Sequence, residues 1–123
     1  MHLISFFLSL FITLNPSPDF NCDGDRLTAQ IRNNLNGDFA LTNDLNKIDK
    51  GAFIVLNWRD INLMLPVSFR SGEISFTDKK WVWSYQDEKN GLMIDHPRFA
   101  HLLPNGEVQE YSCNAASKYD EIS

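Results

Sequence analysis

Two cysteines, Cys22 and Cys113, bracket almost every residue of this 123-residue chain that could enter a core. An apolar stretch from Leu3 to Leu14 precedes the first of them. Its length of about twelve residues suits the centre of a signal peptide and falls short of the roughly twenty that a membrane-spanning helix needs. Residues 1–18 are therefore expected to be a leader, residues 19–114 a folded domain and residues 115–123 a polar tail, with the mature protein periplasmic or secreted and not membrane-spanning. No Lys or Arg precedes the apolar stretch, and Asn15-Pro16-Ser17-Pro18 holds no small-x-small cleavage site. Asp19-Phe20-Asn21 also lacks the small residues that lipidation at Cys22 would require. In an oxidising compartment two cysteines are more often bridged than free, and a metal pair would need further ligands at suitable spacing. A Cys22–Cys113 bridge closes a loop of about ninety residues and stabilises by roughly 4 kcal/mol in the chain-entropy view.

With the leader set aside, about one hundred residues remain, enough for one domain with a modest core. No linker or repeat divides them. Sixteen acidic residues against eleven basic ones give a formal charge of −5, and the acids are scattered rather than run together. That balance argues against nucleic acid, whose binding rests on neutralising phosphates. It fits simple solubility or a cationic partner.

The pattern of apolar residues has the period of strands. Leu27, Ala29 and Ile31 alternate with Arg26, Thr28, Gln30 and Arg32; the same holds for Ile61, Leu63 and Leu65, for Ile74 and Phe76, and for Trp81, Trp83 and Tyr85. Ala52 to Leu56 is continuously apolar and suits a strand covered on both faces. Leu92 to Ile94, Phe99 to Leu103 and Glu107 to Cys113 complete the set. Turn signals fall between these runs at Asp23-Gly24, Asn36-Gly37, Ser71-Gly72, Asn90-Gly91 and Asn105-Gly106. The expected fold is all-β: a single small antiparallel β-barrel of about eight strands closed by one disulfide, in which closure removes the exposed edges. Asn43 to Lys50 departs from strand period and is read as loop or one short helical turn.

Several of these pieces, in this order, resemble the periplasmic and membrane-anchored inhibitors of C-type lysozyme. Phe20-Asn21-Cys22-Asp23-Gly24 before Leu27-Thr28 resembles that family's opening, and Asn57 to Asp60 leading into Ile61 to Leu65 is similar to its polar turn and Leu-rich strand. Ser71-Gly72, Phe76, Thr77-Asp78 and Trp81-Val82-Trp83 look like its Ser-Gly loop and aromatic strand, and Cys113 matches its closing cysteine. The resemblance implies a protein-binding inhibitor whose Ser-Gly loop and a nearby lysine turn enter the acidic cleft of a C-type lysozyme. Ser71 and Gly72 match the loop. The family's Lys-Gly turn has no direct counterpart, since Ser84, Tyr85 and Gln86 follow Trp83 and the nearest lysine is Lys89 in Asp87-Glu88-Lys89-Asn90-Gly91; Lys79-Lys80 is the other basic pair in reach. One extra residue also separates Ser71-Gly72 from Phe76. The implied partner is a C-type lysozyme, with the inhibitor itself a monomer or weak homodimer.

Other constellations in the chain compete with that resemblance. Asp19-x-Asn21-x-Asp23-Gly24 fits the first half of a calcium loop, but Gln30 stands where a bidentate Glu belongs and Arg26 lies inside the loop. His96 and His101 are five apart with Pro97 between them, poor spacing for a shared metal. No nucleophile elbow, phosphate loop or paired catalytic histidine occurs, and Asp87-Glu88 are neighbours on a polar turn. No enzyme activity, cofactor or metal is expected. The competing reading is a small secreted barrel holding an apolar ligand among Trp81, Trp83 and Phe99.

Overall fold

The computed structural model describes residues 16–35, 38–42, 44–70 and 73–116. The expected leader through residue 15, the Asn36-Gly37 and Ser71-Gly72 turns and the tail from 117 lie outside the described residues. Among the described residues eleven strands form one antiparallel sheet: β1 (Asp19–Cys22), β2 (Asp25–Leu35), β3 (Asp38–Thr42), β4 (Phe53–Trp58), β5 (Ile61–Arg70), β6 (Glu73–Thr77), β7 (Trp81–Asp87), β8 (Gly91–Leu92), β9 (Arg98–Leu102), β10 (Val108–Tyr111) and β11 (Cys113–Ala115). The order is β10-β9-β7-β6-β5-β4-β2-β1-β11, with β3 paired to β2 and β8 to β7. The count exceeds the eight expected, for a physical reason. β10 and β11 are halves of one segment interrupted at Ser112; the first half pairs with β9 and the second with β1, so this segment nearly closes the sheet into a barrel. The two short strands β3 and β8 are additions to a circuit of eight walls.

Closure is fastened where β1 meets β11. Cys22 lies directly opposite Cys113 with Cα atoms 4.1 Å apart, the close spacing of a pair that exchanges no ladder hydrogen bonds, and the two are disulfide-bonded. Asp23 N–H donates to the Ser112 carbonyl at 2.9 Å, and Ser112 N–H donates to Asp23 Oδ1 at 2.9 Å. Ala116 N–H donates to the Asp19 carbonyl, so pairing with β1 runs past the expected end of the domain at residue 114. At the other end of β1, Pro16 is buried and the Pro18 carbonyl accepts from Ala29 N–H at 2.8 Å.

The alternation read in the sequence sets which side chains fill the interior. Phe20, Leu27, Ile54, Leu56, Leu65, Phe76, Trp83 and Phe99 have no solvent exposure. Contacts cross the barrel: Phe20 of β1 meets Trp83 of β7 edge to face at 5.1 Å, and Trp58 of β4 meets Phe99 of β9 at 5.1 Å. Each such aromatic pair adds about 0.5–1.5 kcal/mol to the burial of its rings. Trp58 also donates through Nε1 to the Cys22 carbonyl at 3.1 Å, tying the core to the disulfide strand. The continuously apolar run at β4 is covered on one side rather than two. Ile54, Leu56 and Trp58 point inward while Phe53 and Val55 are half-buried on the outer face, because a barrel wall has no second layer over it.

Between β3 and β4 the chain makes a 3-10 turn at Leu45–Lys47, matching the short turn expected there. Asp44 caps it, and buried Asn33 of β2 anchors it by donating to the Lys47 carbonyl and accepting from Asp49 N–H. Leu45 thereby joins the core. Asp23 and Gly24 both take positive φ, 49° and 88°, the requirement of the tight hairpin that their sequence signalled. Of the Leu92-Met93-Ile94 run only Leu92 is in a strand, as the second residue of β8, after which the chain bends through Ile94, Asp95 and His96 toward Pro97.

Candidate functional site

The strands β5, β6, β7 and β9 carry two parallel rows of side chains. Register sets Val67 against Phe76, Phe76 against Trp83 and Trp83 against Phe99; this row faces the core. One residue away along each strand, Ser68 lies against Ser75, Ser75 against Ser84 and Ser84 against Arg98. Successive side chains on a strand point to opposite faces, so this second row lies on the outside of the barrel. Three serines abreast followed by an arginine span about 14 Å at the usual distance between strands.

This outer face is recessed. Ser75 and Ser84 are only 8% and 4% exposed, and Ala100, outward beside Val82, is fully buried. Small side chains form a floor while Arg70, Glu73, Lys79, Asp87, Arg98 and Leu102 stand around it, enclosing a groove of about 380 Å³. Pairing of β6 with β7 slips between Ile74 and Ser75, and the Ser84 hydroxyl reaches the Gln86 and Ile74 carbonyls at 3.1 and 3.5 Å across that irregularity. Thr77 closes the lower end, its hydroxyl donating to the Trp81 carbonyl at 2.7 Å and accepting from Lys79 N–H at 3.0 Å.

The charges around the groove are unequally engaged. Arg98 is held by Glu110, with Nε to Oε1 at 2.9 Å and Nη2 to Oε2 at 3.4 Å. Asp87 accepts from Asn90 N–H at 2.6 Å and from the Asn90 amide at 3.2 Å; the backbone donor is the main reason its carboxyl lies below the ordinary range. Neither Arg70 nor Lys79 is in an ion pair among the described residues.

Of the residues expected to act, Lys89 is exposed on the turn that Asp87 begins and Gly91, with φ 68°, completes. Ser71 and Gly72 lie outside the described residues, but the residues flanking them are placed. Arg70 opposes Glu73, and the next residue, Ile74, opposes Gln86, so this hairpin end and the Asp87–Gly91 turn share one end of the sheet. Lys89, Asn90, Asp87, Arg98 and Glu110 line a second hollow of about 430 Å³ that adjoins the groove through Asp87 and Arg98. Lys79 and Lys80 sit in the turn at the opposite end of β7.

The remaining candidates resolve into structural roles. Trp83 and Phe99 pack on each other and on Phe20 and Trp58, which leaves them no exposed surface with which to hold an apolar ligand; half-buried Trp81 is stacked on His101 at 4.0 Å. His96 pairs with Asn114 Oδ1 at 2.7 Å, on a bend apart from His101 in β9. Asp19 to Gly24 is strand β1 with its turn, where Asp19 pairs with Arg26, Asn21 caps Gly24 and Asp23 accepts from Ser112, so the oxygens of the half calcium loop serve the hairpin. Sequence reading missed Ser68, Ser75, Ser84 and Arg98 as a group, because they are scattered along the chain and only strand register aligns them.

The class of protein is thus a disulfide-fastened antiparallel β-barrel with a filled interior and a polar groove on its outer wall. Residues 30–113, about two-thirds of the chain, match the model of DUF8671, a domain of unknown function, and the chain belongs to that family. No curated protein and no solved structure matches it. Among the described residues no helix is long and apolar enough to cross a membrane.

Proposed function

We propose that this domain is an exported protein-binding inhibitor of a C-type lysozyme, engaging its target through the Ser71-Gly72 loop and the turn that carries Lys89. The observation that carries the reading is the sharing of one sheet end by Arg70 and Glu73, which flank that loop, and by the Asp87–Gly91 turn, with Lys89 exposed. An inhibitor of this kind needs a hydrogen-bonding group and a cation presented together from a rigid scaffold, since a charge buried at an interface must be well oriented to offset its desolvation. The filled core and the disulfide supply rigidity. The disulfide also supports a periplasmic or secreted location, where such bonds persist. The net charge of −5 favours rapid encounter with a basic enzyme.

The test is lysozyme turnover in the presence of the purified, oxidised domain. Inhibition at concentrations on the order of micromolar is expected. Lys89→Ala and Ser71→Ala should each weaken it by about 1 to 3 kcal/mol, chiefly through faster dissociation. Full lysozyme activity at that concentration of folded domain overturns the proposal.

A further inference from the structure

We propose that the outer groove of β5, β6, β7 and β9 is a binding site for an elongated anionic ligand, one carrying carboxylate or phosphate groups, laid over the Ser75 and Ser84 floor between Arg70 and Lys79. This inference rests on the groove alone and stands whether or not the domain inhibits lysozyme.

An outward sheet face is ordinarily a carpet of long polar side chains in water. Here three adjacent strands instead carry serines, with Ser75 and Ser84 nearly withdrawn from solvent and long side chains confined to the margin. The resulting volume of about 380 Å³ falls in the range of small-molecule sites rather than of protein interfaces. Its polarity selects the ligand class. Hydroxyls and guanidinium groups together satisfy oxyanions, the planar fork of arginine matching a carboxylate or phosphate edge. The groove lining holds three cations, Arg70, Lys79 and Arg98, against two acids, Glu73 and Asp87.

Glu110 neutralises Arg98 and Asp87 keeps its charge beside it, so the cations left without an ion pair among the described residues are Arg70 and Lys79, with Glu73 the one acid of the lining that has no hydrogen bond or ion pair there. Arg70 and Lys79 stand at opposite ends of the groove, separated by the length of β6, which at strand rise is about 13 Å between Glu73 and Thr77. A compact anion would meet one of them. An elongated one with charge at both ends would meet both, with the Ser68 and Ser75 hydroxyls between, since the Ser84 hydroxyl donates to the Gln86 and Ile74 carbonyls and Arg98 is paired with Glu110.

The experiment is calorimetric and NMR titration of the oxidised domain at low ionic strength with inorganic triphosphate, with digalacturonic acid and with neutral cellobiose. Binding of either anion with a Kd of about 1 mM or tighter is expected, with amide shifts centred on Ser75 and Ser84. The double variant Arg70→Gln, Lys79→Gln should lose about tenfold in affinity while keeping its thermal midpoint, and salt should weaken the wild type more than the variant. Preference for triphosphate assigns the groove to phosphorylated ligands; preference for digalacturonic acid assigns it to carboxylated saccharides. Absence of binding by both anions, affinity unchanged in the double variant, or equal binding of cellobiose overturns the proposal. Lys89→Ala, which lies outside this groove, should leave triphosphate affinity within about twofold, separating this site from the one proposed for lysozyme.

Discussion

The seam between β1 and β11 and the outer wall of β5, β6, β7 and β9 are built from the same kind of strand, yet they treat their polar groups in opposite ways. At the seam the groups are spoken for: Asp23 and Ser112 exchange hydrogen bonds, Arg26 pairs with Asp19, and Arg59 pairs with Asp25 at 2.6 Å while its guanidinium lies 3.9 Å from the Trp58 ring. On the outer wall Arg98 is likewise paired with Glu110 and the Ser84 and Thr77 hydroxyls are engaged, but Arg70 and Lys79 at its two ends are in no ion pair among the described residues. Interactions closed within the fold stabilise it. Groups held in place without partners are available to something else, and the difference separates the part of this barrel that maintains the fold from the part offered to ligands.

Removing the disulfide tests the first half of that contrast hardest. Cys22→Ser with Cys113→Ser should destabilise the domain by roughly 4 kcal/mol, read as the shift in urea midpoint against the oxidised wild type. A shift below about 1 kcal/mol would mean that the hydrogen-bonded seam holds without its cross-link.

Next in size is Trp58→Phe, which leaves the Cys22 carbonyl without its indole donor and opens space beside Phe99 and Tyr111. A loss of about 2 kcal/mol is expected by the same measurement. Tyr85 gives a pH-dependent version. Burial pushes its phenol well above the ordinary value of 10.0, so the native state keeps the proton while the unfolded chain releases it. Stability is therefore intact below about pH 10 and falls above it by about 1.4 kcal/mol per pH unit. Tyr85→Phe should remove that slope from the alkaline unfolding profile, and an unchanged slope would show that the phenol is hydrated in the native state.

Smaller again is Arg59→Ala, which removes an exposed ion pair and the cation over Trp58 for about 0.5–1 kcal/mol, part of it lost in salt anyway. The outer wall should respond least: Arg70→Gln with Lys79→Gln is expected to change stability by no more than about 0.5 kcal/mol, and a larger loss would mean these cations belong to the fold after all.

The inward half of this protein is legible in the order of its residues. Leu65, Phe76, Trp83 and Phe99 could be assigned to strands because period two is a local property, and the two cysteines announced the fastening of the barrel because their spacing and context required no knowledge of what lies between. The turn at Asp23-Gly24 was legible for the same reason: its positive φ angles are a local demand that glycine announces. Tertiary structure alone decided the rest. Splitting the last segment at Ser112 into β10 and β11, which turns an open meander into a nearly closed barrel, depends on partners about ninety residues away for one half and about twelve or fewer for the other, as the pairs Cys22 with Cys113 and Phe99 with Tyr111 illustrate. The groove is the clearest case. Ser68, Ser75, Ser84 and Arg98 carry no motif, and a slip of one residue in any of three pairings would turn that strand's residues to the other face, so their alignment exists only once register is fixed by the core row packed behind it.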